Sequence, residues 1–111
     1  MAHPSINVET FSNGYIVKPA GRIGGPEGET LDNELERLVG LKPGVLILDM
    51  SATEMLSSRA ISALVRLNRM MKESGGKARL AAVPPTIMNL LKSVRLDDYI
   101  PVFMSVDDAK K

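Results

Sequence analysis

Residues Val45-Leu46-Ile47-Leu48 form an unbroken apolar run between Pro43-Gly44 and Asp49. Successive side chains of a strand point to opposite faces, so a strand without polar alternation is one whose two faces are both covered. This run is therefore expected to be the central strand of a sheet with helices packed on it. Full burial of its four side chains, at about 1.5 to 3 kcal/mol each, would make it a principal source of stability. A charge inserted into it is expected to unfold the domain.

The pattern on either side agrees with a layered arrangement. Ile6 to Thr10 and Tyr15 to Lys18 read as short strands joined through Ser12-Asn13-Gly14, a composition that favours a hairpin. Gly21, Gly24, Gly25 and Pro26 then interrupt the strand pattern. Leu31, Leu35, Leu38 and Val39 recur at helical spacing, with Glu27 and Glu29 at the positive end of that helix. A second helix is predicted over residues 58 to 74. Ala60, Ala63, Leu64, Leu67, Met70 and Met71 lie on its core side, and Arg59, Ser62, Arg66, Arg69 and Glu73 on the other. Gly75-Gly76 ends it, Ala78 to Val83 reads as another buried strand, and Pro84-Pro85 opens a helix carrying Ile87, Leu90, Leu91 and Val94. Pro101 to Met104 reads as the last strand. At 111 residues the chain is the size of one domain. The expected fold class is α/β: a single domain, residues 1–111, with a mixed sheet of four to five strands, helices packed on it and right-handed crossovers.

Charge and composition narrow the function. Lys plus Arg number 14 against 13 Asp plus Glu, so no net field steers the protein toward nucleic acid or an anionic membrane, and a partner must be recognised locally. There is no cysteine, which removes disulfides, thiolate nucleophiles and cysteine-based zinc sites. The single histidine, His3, argues against a histidine-based metal site. No apolar stretch approaches the roughly 20 residues needed to cross a bilayer, and Met1 to Ser5 lacks a secretory pattern, so a cytoplasmic protein without membrane insertion is expected.

The chemistry-bearing residues cluster where the central strand leads into the second helix. Ser57 and Ser58 fall at the helix start, where the first backbone N–H groups lack internal partners and the aligned peptide dipoles attract an oxygen or a phosphate. A serine there can cap the helix, at about 1 kcal/mol, or be modified. Met55-Leu56, just before the serines, are expected to be an exposed apolar pair at an interface, and Arg59, Arg66 and Arg69 a basic ridge on a solvated face. The Gly21-x-x-Gly24-Gly25 segment lacks both the dinucleotide spacing and the lysine of a phosphate-binding loop, and reads as loop geometry. Asp49 has no partner base in the sequence and reads as a turn stabiliser.

In order and spacing the chain resembles the STAS domain family, named for sulphate transporters and anti-sigma factor antagonists, in its small free-standing bacterial form. The markers are Gly21-Arg22-Ile23, Val45 to Ser51, Ile61 to Leu64, Gly75-Gly76 and the run Arg95 to Phe103. The resemblance implies a non-enzymatic anti-sigma factor antagonist without cofactor or metal. In that role a serine or threonine at the helix start is phosphorylated by a partner kinase, often the anti-sigma factor itself, and dephosphorylated by a serine phosphatase. Counted without gaps from Asp49, the usual acceptor position is occupied by Arg59, and Ser58 coincides with the serine before it; a one-residue slip at the turn makes Ser58 the acceptor. Both alignments point to Ser58, with Ser57 second. Gly24 stands where many relatives carry an acidic residue. The implied partner-binding residues are Met55, Leu56, Ser57, Ser58, Arg59, Ser62 and Arg66, with Arg59 and Arg66 placed to screen a phosphate. Two alternatives stand beside this reading: a phosphorylation-independent scaffold subunit of a signalling or transport assembly, and a small nucleotide- or ligand-binding module using the Gly21 to Pro26 loop and the start of the 58 to 74 helix.

Overall fold

The structure is a computed structural model that describes residues 5–111, so the expectations resting on His3 and the opening stretch fall outside the described residues. The described residues begin with a hairpin. β1 (Ser5–Phe11) turns through Ser12-Asn13 into β2 (Gly14–Ile23), paired antiparallel from Ser5↔Ala20 to Phe11↔Gly14. β2 does not stop near Lys18, as the glycines suggest. Gly21 takes φ +88°, in the left-handed region open to glycine, and the pairing register shifts between Gly21 and Arg22. The glycine therefore bends the strand instead of ending it.

The elements that follow are α1 (Gly25–Gly40), β3 (Val45–Asp49), β4 (Thr53–Leu56), α2 (Ser58–Ser74), β5 (Lys77–Ala81), α3 (Pro85–Ser93), a 3₁₀ turn at Leu96–Asp98, β6 (Val102–Phe103) and α4 (Val106–Lys110). The sheet runs β1-β2-β3-β5-β6, with β4 laid along the distal half of β2. All pairings except β1–β2 are parallel. β3 occupies the middle of that path, and Leu46, Ile47 and Leu48 are at 0% exposure, as an apolar run without alternation requires.

One face of the sheet packs Val17, Leu46, Leu48 and Leu80 against Leu31, Leu35 and Leu38 of α1, Leu64 and Leu67 of α2, and Leu91 of α3. The other face is smaller: Ile16, Val45, Ile47 and Ala81 are closed over by Ala109 of α4 with Phe11, Phe103 and Val106 at the rim. α1 and α2 meet closely. A Cβ built on Gly28 would lie 2.7 Å from the Ala60 backbone nitrogen, so the helices approach at a distance that only glycine at residue 28 permits. This crossing sets the start of α2 against the first turn of α1.

Candidate partner-binding and modification site

The start of α2 is held in place by β2. The Gly21 N–H donates to the Ala52 carbonyl at 2.8 Å, the buried Thr53 hydroxyl to the Pro19 carbonyl at 2.7 Å, and the Ser57 N–H to the Ile23 carbonyl at 2.9 Å. The segment leading from β3 into α2 thus contains a further strand, β4. Its pairing explains why one expected contact fails. Leu56 lies beside Ile23 in the ladder and is 5% exposed, part of the core and not the exposed residue expected; Met55 is half-buried. The exposed apolar pair reduces to part of Met55.

The three residues that open α2 have separate tasks. Ser57 is the N-cap, with extended backbone, and its Oγ accepts the Ala60 N–H at 3.2 Å. Ser58 is the first helical residue, exposed, with no hydrogen-bond partner for its hydroxyl among the described residues. Arg59, the next residue, turns toward α1 and its Nη1 donates to Asp32 Oδ2 at 2.9 Å. Arg66, two turns on, donates from Nη1 to Asp32 Oδ1 at 3.0 Å and from Nη2 to Glu36 Oε1 at 2.9 Å. The basic ridge is therefore largely an ion-pair network across the α1–α2 seam. Arg59 and Arg66 are committed to Asp32 and not poised beside Ser58 as a free phosphate screen; Arg69 has no ion pair among the described residues.

Asp32 was not visible as a site residue; the sequence signals only that some carboxylate should stand near Arg59. An arginine in the first turn of a helix faces the positive end of the dipole and needs a compensating carboxylate. Asp32, with only 6% of its side chain exposed, supplies it. Burial alone would push the Asp32 carboxyl up, but hydrogen bonds and charge from Arg59 and Arg66 more than offset this and hold it below the usual carboxylate range.

Exposed along α2, about one turn apart, are Ser58, Ser62, Val65 and Arg69. Val65 is 54% exposed, an apolar residue on the outer face that the core pattern did not single out. Asp49 Oδ1 accepts the Ser51 N–H at 3.0 Å, the turn-stabilising role expected of it. The glycine-rich segment is not a free loop. Gly21 to Ile23 belong to β2, Gly25 opens α1, and the Gly24 N–H is capped by Glu27 Oε1 at 3.0 Å. Among the described residues no group of three His, Asp or Glu could hold a metal, and no helix is long and apolar enough to cross a membrane.

The STAS domain family model matches residues 5–109 of the chain. The protein belongs to the STAS domain family. Its fold is shared with an anti-sigma factor antagonist from Mycobacterium paratuberculosis, at 23% identity over 97% of this chain and 92% of that one, with a TM-score of 0.87. It is also shared with the Bacillus cell fate determinant SpoIIAA in its phosphorylated form, at 11% identity over 96% of each chain, TM-score 0.77. The STAS domain of a SulP transporter from Vibrio cholerae is similar as well, at 16% identity over 83% of this chain and 73% of that one, TM-score 0.65. No curated protein sequence matches this STAS domain. At the start of its second helix, Arg59 is held by the buried Asp32.

Proposed function

We propose that this STAS domain is a cytoplasmic, non-enzymatic anti-sigma factor antagonist that works by partner switching. Unmodified, it captures an anti-sigma factor with serine kinase activity through the exposed strip Ser58, Ser62 and Val65 with the adjoining Met55. Phosphorylation of Ser58, or secondarily Ser57, releases that partner, and a serine phosphatase restores binding. The observation that carries the reading is the division of labour at the helix start: Ser57 is occupied as the cap, while the neighbouring Ser58 hydroxyl is exposed and free. A phosphate there adds about −1.5 to −2 charges at the positive end of α2, which the helix tolerates and an acidic docking partner would not. The likeness to a structure of SpoIIAA in its phosphorylated form supports the same reading.

The test has two arms. Intact-mass and peptide mass spectrometry of the protein from its native host should locate a phosphate on Ser58. Ser58→Ala should then bind the captured kinase and Ser58→Asp should bind it at least about tenfold more weakly, a difference of 1.4 kcal/mol. A second reading, a constitutive scaffold subunit, is favoured by one observation: Arg59 at the counted acceptor position is built into the fold through Asp32. Equal binding by both Ser58 variants, with no phosphate in the native protein, would replace the switch by that scaffold.

A further inference from the structure

The outer edge of β5 opens into a groove at the end of the sheet, away from the strip at Ser58. β6 pairs with β5 only at Leu80↔Val102 and Ala81↔Phe103. The ladder stops there for a chemical reason. Leu80 N–H donates to the Pro101 carbonyl at 2.9 Å, but Pro101 has no N–H to return to the Ala78 carbonyl. Since Lys77 N–H bonds the Gly44 carbonyl on the β3 side, the alternation turns the Ala78 N–H and C=O toward the groove, and neither has a partner there among the described residues. Lys72 from the last turn of α2, with Lys77 and Arg79 of β5, lines the cavity alongside Tyr99 and Phe103. None of the three cations has a carboxylate within 4.0 Å among the described residues; Asp107 and Asp108 pair with Lys110 and Lys111 instead. Arg79 is held over the Phe103 ring, 5.5 Å from its centroid, with Nη1 donating to the Ala109 carbonyl at 2.6 Å. Tyr99 stands 62% exposed at the mouth.

We infer that this groove is a second docking surface, independent of the proposed switch, and that its occupant is a short extended acidic segment of a partner protein. Such a segment supplies what the edge lacks: a backbone donor and acceptor for Ala78 and carboxylates for Lys72 and Lys77. An apolar side chain between them rests against Tyr99. The charge excess at the groove excludes a basic segment, and the single free rung limits the contact to a few residues.

The probe is an acetylated, amidated peptide Glu-Val-Glu-Val-Glu-Val, titrated into the ¹⁵N-labelled protein at low salt, with Lys-Val-Lys-Val-Lys-Val as its counterpart. Saturable shifts confined to Lys77–Arg79 and Tyr99 are expected with the acidic peptide. They should weaken at least about tenfold in Lys72→Glu/Lys77→Glu and again at raised ionic strength, and be unchanged in Ser58→Asp. Tyr99→Ala, at an exposed position, should also weaken binding and decides the matter if the double variant does not fold. The inference is overturned by absent or unsaturable shifts, by shifts centred on Ser58, by equal binding of the basic peptide, or by unchanged affinity in the folded variants.

Discussion

Replacing Asp32 by alanine removes the carboxylate that holds α2 to α1, and its cost follows from the geometry. The side chain is 6% exposed and accepts two charge-assisted hydrogen bonds, from Arg59 at 2.9 Å and Arg66 at 3.0 Å. Hydrogen bonds to charged groups contribute about 1.5 to 3 kcal/mol each in mutational series, and breaking a buried ion pair costs about 3 to 5 kcal/mol when the remaining charge stays buried. Here the two guanidinium groups are 41% and 35% exposed and can return to water, so the loss belongs at the low end, about 2 to 3 kcal/mol. Urea unfolding should show a lower midpoint at an unchanged slope. The variant should still fold, because domains of this kind have about 5 to 15 kcal/mol in hand. Acidification gives an independent check. Since the folded-state pKa of Asp32 lies below its ordinary value of about 3.9, its contribution is fully present above that pH and is lost as the pH falls through the lowered pKa. Asp32→Asn should therefore lose less stability than the wild type on going from pH 5 to pH 2. A loss under about 0.5 kcal/mol for Asp32→Ala, which is the scale of an ordinary surface change, would refute the role of the network in fixing the helix start.

Two further substitutions probe the frame around the site. Gly28→Ala should destabilise by about 1 to 3 kcal/mol or more, since its Cβ would meet backbone at 2.7 Å and not a yielding side chain; unchanged thermal stability would show that the helices separate freely. Leu56→Ala should cost about 2 to 5 kcal/mol in urea unfolding whereas Met55→Ala, half-buried, should cost less while weakening partner capture. The opposite order would return Leu56 to the interface.

Much of the fold was legible because its elements obey one period each. The second helix spans Ser58–Ser74 as its apolar spacing predicts, and the alternation-free run at Val45 is the buried central strand. What escaped is short or bent. β4 has four residues, too few for a pattern to declare itself beside the polar Ser51-Ala52 turn, so Leu56 was read as exposed. β2 passes through a glycine that normally signals a break. α4 has five residues, announced only by Ser105, whose Oγ caps the Asp108 N–H at 3.1 Å. At the site, sequence placed the serines correctly at a helix start but could not say which one capped. The partner of Arg59 lies 27 residues upstream, and a single sequence does not encode which of its carboxylates closes a distant seam.

The arrangement at the start of α2 bears on how a modification could act. Were Ser58 the cap, a phosphate would exchange one helix-start contact for another, and binding and stability would change together. Because Ser57 holds the cap and Arg59 holds the seam, the residue between them is released from both duties. Charge added at Ser58 meets the helix dipole, worth about 0.3 to 1 kcal/mol at an exposed end, against a domain stability several times larger. The expected consequence is a change in what the surface will bind without a change in what the chain folds into. Thermal unfolding of Ser58→Asp within a few degrees of wild type, alongside lost partner capture, is the pairing that this separation of roles requires. A variant that lost both together would place Ser58 among the structural residues instead.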